Sequence, residues 1–351
     1  RVQSFGLSLD GRFAVFSSYG SNLVPGDTDG MPNLFIRDLI SSTSMPINIE
    51  TNGWFATNRS GVHPIISSNG QYVLFLKPTW ERGYIYPSTM QLLRWNRMNG
   101  TSEEIEPGLK IQNTAMLEFE KRGAPDMSPD GNSVAYLAKV TYGDTVPLFL
   151  RDITARTNRL VNRNISMPPT IIQPAFGHSK QPRFSPDGRW LVFQSQGIPL
   201  TTNIVRRGGG DYDLFAFEVT ATSNIMVSVD AIGDGMRGHS EASAFSASGR
   251  HLAFYGTYTD GNAAARSYLF DFATRSNTLI CTNCSRPWPS EDARWVAYQT
   301  QTAPAEPSQI MLKDMQTGEE TLVSADYPGT GGGNGSSTAP QISPDGRFVV
   351  F

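Results

Sequence analysis

Cysteine and histidine are scarce in this chain, at two and four residues of 351. A structural zinc takes four ligands, and Cys281-Thr282-Asn283-Cys284 offers two with no second Cys-x-x-Cys. The histidines, His63, His178, His239 and His251, make no convincing Ser-His-Asp set. Neither Gly177-His178-Ser179 nor Gly238-His239-Ser240 is a nucleophile elbow, because Gln181 and Ala242 stand where a second glycine is needed. A basic excess is also missing: 29 Lys and Arg against 32 Asp and Glu give a net charge of −3, which argues against a nucleic-acid partner. No apolar run approaches the roughly 18 residues of a membrane span.

What the chain has in plenty is one repeated stretch. Ser185-Pro186-Asp187-Gly188-Arg189-Trp190-Leu191-Val192-Phe193 returns as Ser343-Pro344-Asp345-Gly346-Arg347-Phe348-Val349-Val350-Phe351, and again from Ser128 through Asp130 and Gly131. Looser copies begin at Ser8 (with Asp10, Gly11), Ser67 (Asn69, Gly70), Ser246 (Ser248, Gly249) and Ser290 (Asp292, Ala293). In such a stretch proline presets φ for a turn, the acid caps its own backbone, and glycine takes the left-handed position. The apolar, aromatic residues that follow suit a strand, and the unbroken run Trp190–Phe193 suits one covered on both faces.

The turn positions 11, 70, 131, 188, 249, 293 and 346 lie 44–61 residues apart, room for four strands and their loops. A short strand precedes the turn, as in Ala339–Ile342. A third ends in an acid: Asn33–Asp38, Leu148–Asp152, Leu214–Glu218, Tyr268–Asp271 and Ile310–Asp314. The acids Asp38, Asp152, Asp271 and Asp314 read as turn caps. Fourth strands are expected near Pro46–Glu50, Arg159–Val161, Ile225–Ser228 and Thr321–Ser324. The expected fold is all-β: a β-propeller of four-stranded antiparallel blades in one domain. The repeats run approximately 1–58, 59–119, 120–176, 177–237, 238–284 and 285–335, with a partial one at 336–351. Seven blades with the last cut short are favoured over six. The start at Arg1 and the end within a repeat suit a segment of a longer protein.

Ser-Pro-Asp-Gly-Arg-x-Val-x-Phe, followed by Leu-Phe-x-x-Asp and Leu-Val-Ser, resembles the WD40-like repeat of TolB-type β-propellers across essentially the whole chain. The resemblance implies a non-catalytic protein- or ligand-binding scaffold in an exported bacterial protein, periplasmic, cell-surface or secreted. Alternatives are the propeller of a prolyl-oligopeptidase-like hydrolase whose catalytic domain lies outside this chain, and a carbohydrate-binding or carbohydrate-active propeller.

A rigid scaffold with variable loops binds through those loops. The long connections carry most of the candidates. His178 and His239 each lie seven residues before a motif serine and could bind a metal or a carboxylate; repeat inheritance is the favoured reading, with Ser60 and Ser336 in the same slot elsewhere. Trp80, Tyr84 and Tyr86 are candidates for stacking a sugar or peptide, or for covering a blade edge. Asp27, Asp29 and Asn33 are candidate calcium ligands in a loop that reads equally as an Asx turn; no other cofactor is expected. Cys281 and Cys284 are expected to close a short disulfide across the tightest connection if the compartment oxidises. The expected partner is a protein or saccharide on the variable-loop side.

Overall fold

The computed structural model describes residues 2–26, 33–47, 64–79, 89–106, 111–112, 124–138, 145–168, 170–171, 173–202, 211–230, 235–236, 238–258, 265–301, 306–327, 329 and 331–351. Among these residues there is no helix. Strands follow one another in simple up-and-down order within each sheet.

The first sheet holds β1 (Val2–Leu7), β2 (Phe13–Ser18), β3 (Asn33–Asp38) and β4 (Thr43–Pro46). The second holds β5 (Ile65–Ile66), β6 (Tyr72–Thr79), β7 (Thr89–Asn96) and β8 (Thr101–Glu104), with β9 (Ile111–Gln112) also pairing β7. The third holds β10 (Asp126–Met127), β11 (Ser133–Leu137), β12 (Leu148–Asp152) and β13 (Thr157–Leu160). In the fourth are β14 (Ser179–Phe184), β15 (Trp190–Ser195), β16 (Asp213–Glu218) and β17 (Ser223–Met226). The fifth is β18 (Gly238–Phe245), β19 (His251–Tyr258), β20 (Ala265–Asp271) and β21 (Ser276–Thr282). A sixth comprises β22 (Cys284–Pro289), β23 (Trp295–Thr300), β24 (Gln309–Asp314) and β25 (Glu320–Leu322). A seventh, two-stranded sheet pairs β26 (Gln341–Ile342) with β27 (Val349–Val350).

The chain divides into two compact units, Arg1–Val161 with Lys180–Phe184, and Asn162–Ser179 with Ser185–Phe351. In the first, Phe13, Val15, Leu74, Trp95 and Tyr136 belong to one buried cluster. In the second, Trp190, Val192, Phe254 and Phe270 do the same, and every residue of β15 is buried.

The repeated stretch folds as a cage of hydrogen bonds. The Ser8 hydroxyl donates to Asp10 and accepts the Phe13 N–H at 2.9 Å, while Asp10 accepts the Arg12 N–H at 3.0 Å and Gly11 donates to the Ser8 carbonyl at 2.9 Å. The same bonds recur at Ser67, Ser128, Ser185, Ser290 and Ser343. Ser185 and Ser246 are wholly buried, so the hydroxyl satisfies a strand N–H that water does not reach. Where the copy is loose the cage weakens or adapts. Ser248 replaces the acid and accepts the Arg250 N–H at a long 3.4 Å. Ala293 replaces the glycine and still takes φ +57°.

The turn glycine has a second task. A Cβ on Gly131 would lie 2.3 Å from Cδ2 of Tyr72, which opens the second strand of the preceding sheet; Gly70 stands in the same relation to Phe13. The second motif residues are tied from sheet to sheet as well. Leu9 N–H donates to Ser68 O at 3.0 Å, and Ser68 N–H to Pro129 O at 2.8 Å. In the second unit Glu291 N–H donates to Pro344 O at 2.9 Å.

The motif arginine bonds the acid that ends the third strand: Arg12 to Asp38 at 2.8 Å, Arg189 to Glu218 at 2.7 Å, Arg250 to Asp271 at 2.8 Å and Arg294 to Asp314 at 2.9 Å. Three of these acids also cap the next turn: Asp38 accepts the Ile40 N–H at 2.9 Å, Asp271 that of Ala273 at 2.8 Å and Asp314 that of Gln316 at 2.8 Å, as Asp152 does that of Ala155 at 2.8 Å. This capping corrects the expected fourth strands. The chain reverses so tightly that β4, β13, β17 and β25 begin one to three residues earlier than their apolar residues suggest.

Two predictions follow from this local chemistry. Gly131→Ala combines left-handed strain with a clash on Tyr72 and is expected to cost about 3 kcal/mol or more. Gly318→Ala, whose Cβ would meet nothing within 4 Å at φ +80°, is expected to cost only about 1 kcal/mol in the same thermal unfolding experiment. Equal losses would mean that the ring does not hold its place. The bond from Arg12, with help from backbone N–H groups, holds the Asp38 carboxyl at about 2, below its ordinary 3.8. A depressed carboxylate stabilises the fold above its unfolded pKa, and that contribution fades as pH falls from 3.8 towards 2. Arg12→Gln should bring the Asp38 titration, read by NMR, back towards 3.8 and flatten this part of the acid unfolding curve.

Candidate functional site

The second unit gathers its polar groups along β18, β19 and β22. On β18, Gly238 and Ser240 are buried while His239 and Glu241 are exposed, so strand alternation puts the last two on one side. Glu241 lies opposite Tyr255 of β19. β22 packs against β18, β19 and β20. On β22 Arg286 is exposed and Trp288 half-buried, between the buried Pro287 and Pro289. The strand is irregular there: pairing with β23 shifts between Ser285 and Trp288, and Arg286 takes φ +52°. A bulge of this kind re-aims a side chain, and a left-handed arginine is held there at a cost of about 1 kcal/mol or more.

The result is a cluster of three. The Tyr255 phenol feels both the Glu241 carboxylate and the Arg286 guanidinium. Burial, then the negative charge of Glu241, push the Tyr255 phenol above its ordinary value of 10.0, with Arg286 pulling the other way. The phenol is therefore protonated at neutral pH, a hydrogen-bond donor rather than a base. The same position in the neighbouring sheets is also polar. Gln194 of β15 donates to the Ser240 carbonyl of β18 at 2.7 Å. Gln299 of β23 lies opposite Ser285, and its side-chain oxygen is buried without a hydrogen-bond partner.

The two expected histidines occupy matching places. His178 immediately precedes β14 and His239 is the second residue of β18; each follows a left-handed glycine, Gly177 at φ +111° and Gly238 at φ +108°, and each precedes a wholly buried serine. His239 is engaged: its Nδ1 accepts the Tyr212 N–H at 3.1 Å and its Nε2 stands 3.8 Å from Asp211, which also accepts the Gly238 N–H at 3.0 Å. Among the described residues no group of three or more His, Cys, Asp or Glu is placed to hold a metal ion. Asn33 opens β3 and is buried. Asp27, Asp29, Trp80, Tyr84 and Tyr86 lie outside the described residues, as does the glycine run 208–210.

Cys281 and Cys284 form a disulfide with Cα atoms 6.0 Å apart. Their setting differs from the expected loop. They sit on β21 and β22, with only Asn283, at φ +57°, between the two strands. The sixth sheet therefore starts at Cys284, the last residue assigned to the fifth repeat. Sequence reasoning had located this pair but missed Glu241, Tyr255 and Arg286. The signal was faint and belonged to Tyr255, which stands where other copies carry Leu76 and Leu137.

No family model and no curated protein sequence matches the chain. Solved structures do. An oligogalacturonate lyase from Vibrio parahaemolyticus superposes with a TM-score of 0.57 at 12% identity, over 99% of this chain and 85% of the lyase. The β-propeller domain of the Trilobed protease from Pyrococcus furiosus gives 0.53 at 10% identity, over 97% and 86% of the two chains. TolB from Acinetobacter baumannii gives 0.43 at 15% identity, over 88% of this chain and 62% of TolB, so this chain spans less than two thirds of that protein. At these identities the likeness defines the fold. The chain is a β-propeller built from four-stranded antiparallel sheets, the architecture that its repeats implied. Among the described residues there is no helix long and apolar enough to cross a membrane.

The disulfide closes a loop of only four residues, so it restricts the unfolded chain little. The Cys281→Ser/Cys284→Ser variant is expected to lose about 2 kcal/mol and keep its β-sheet circular dichroism. Loss of the folded spectrum would instead make the bridge a condition of folding.

Proposed function

We propose that this chain is a non-catalytic binding propeller of an exported protein, with its binding groups on the first two strands of the fifth sheet and the first strand of the sixth. The observation that supports the reading is the influence of two exposed charges, Glu241 and Arg286, on the half-buried Tyr255 phenol. Such groups orient a polar ligand by hydrogen bonds and charge. Export is supported by the disulfide, since thiols stay reduced in most cytosols.

The likeness to an oligogalacturonate lyase gives the reading its sharpest test. Purified protein is incubated with polygalacturonate, and separately with a chromogenic proline peptide. The expected outcome is no release of unsaturated product and no chromophore. Turnover that disappears in Tyr255→Phe or Arg286→Gln would overturn the proposal and make the cluster an active centre.

A further inference from the structure

We propose that the outer edge of β27 is a docking site for an extended strand of a partner polypeptide, one that carries an aromatic residue three places before an acid. The site uses none of the groups of the preceding reading and stands without it.

The other sheets show what covers a second strand. The residue after the third strand donates its N–H to the carbonyl of the fifth motif residue, as Leu39 does to Arg12 at 2.8 Å, Val219 to Arg189 at 3.0 Å and Met315 to Arg294 at 2.7 Å. Where that fifth residue is arginine, its guanidinium bonds the acid that ends the third strand. In four sheets the ninth motif residue stacks on the aromatic side chain directly opposite: Phe16 on Phe35, Tyr136 on Phe149, Phe193 on Phe215 and Phe254 on Tyr268, with centroids 5.5–5.8 Å apart.

β27 offers the same groups uncovered. Arg347 lies over the Phe348 ring, as other motif arginines lie over theirs, and feels the acid of its own turn, as Arg12 feels Asp10. Among the described residues no carboxylate pairs with its guanidinium and no N–H reaches its carbonyl. Phe351, the ninth residue, is 55% exposed, whereas Phe193 and Phe254 are wholly buried. Phe348 and Val350 are exposed as well. The Ser343 N–H bonds the Phe348 carbonyl at 2.8 Å, so alternation turns the main-chain groups of Val349 and Phe351 to the open side. The hairpin is anchored on the sixth sheet, with the Gly346 turn against Trp295 and the Glu291 N–H on Pro344 O, so the edge is formed before anything binds.

These groups define the occupant. Antiparallel pairing in the register of the other sheets puts an acid opposite Phe348, within reach of Arg347, and an aromatic opposite Phe351, just as Glu218 lies opposite Trp190 and Phe215 opposite Phe193. Strand addition of this kind draws affinity from main-chain hydrogen bonds and selectivity from alternate side chains. A second copy paired through its own β27 does not fit, because no acid stands three places after an aromatic there and both arginines would stay unmatched.

The test uses the whole chain and a fluorescein-labelled peptide with the sequence of residues 33–40, which contains Phe35 and Asp38. Fluorescence anisotropy is expected to show saturable one-to-one binding, and amide exchange at Val349 to slow as the peptide binds. Arg347→Gln in the protein and Asp38→Asn in the peptide should each weaken binding by about 10-fold or more, and together by little more than either alone. Phe351→Ala should weaken it by roughly 3-fold or more. Unfolding midpoints should stay near that of the parent, because both side chains are exposed. Absence of saturable binding, or unchanged binding by a folded Arg347→Gln variant, would overturn the inference. So would a Val349 amide already protected without peptide: in a dimer it would put a second copy on the edge, and in a monomer it would mean that the edge is covered from within.

Discussion

The whole fold depends on the motif hydroxyl, buried in six of the seven copies. The motif serine accepts the N–H that opens the second strand, five residues on, and donates to the acid two residues on, so the hairpin is closed by local bonds alone. The hairpin then fixes where the aromatic ring of that strand stands. At three seams the ring meets the turn glycine of the following sheet: Phe13 at Gly70, Tyr72 at Gly131 and Trp295 at Gly346. Local hydrogen bonding and sheet-to-sheet packing are thus set by the same few residues. The arginine of the turn adds a tie to the end of the third strand and lies over the ring beside it, with Arg12 at 4.9 Å from Phe13 and Arg294 at 5.1 Å from Trp295.

Much of this was legible from residue order. Turns, second strands and third strands were found because Asp-Gly followed by an apolar aromatic run has one local solution. The serine was read only as a marker of the repeat, and its part in the cage shows only in the distances. Fourth strands were misplaced because their apolar residues come late, while the turn is set by the capping acid that precedes them. The cysteines were expected in a loop because Cys-Thr-Asn-Cys looks like a connection, yet a single left-handed Asn283 suffices to pass from one strand to the next.

The candidate site was harder to see. Tyr255 sits where a core residue is expected, and Glu241 and Arg286 lie on first strands that have little apolar signature of their own. Their association requires two neighbouring sheets and a bulge, none of which leaves a spacing in the sequence. The histidines, by contrast, drew the eye through their exact repeat spacing, and that spacing reflects a shared backbone shape: a left-handed glycine before and a buried serine after.

The seats of Phe13, Tyr72 and Trp295 in the next sheet's turn have a bearing on how such a chain can change. Ring and glycine that must fit together belong to consecutive repeats, so the unit of substitution is the seam, not the repeat. The fifth and sixth sheets illustrate it: the ring position carries His251, the glycine position carries Ala293, and the adjoining Asp292 is close enough to His251 to act on its charge. A copy of one repeat inserted elsewhere in the chain would bring half of each lock and meet the wrong half twice. Recombination that respects the fold would have to cut inside the sheets, between the turn and the strands it serves.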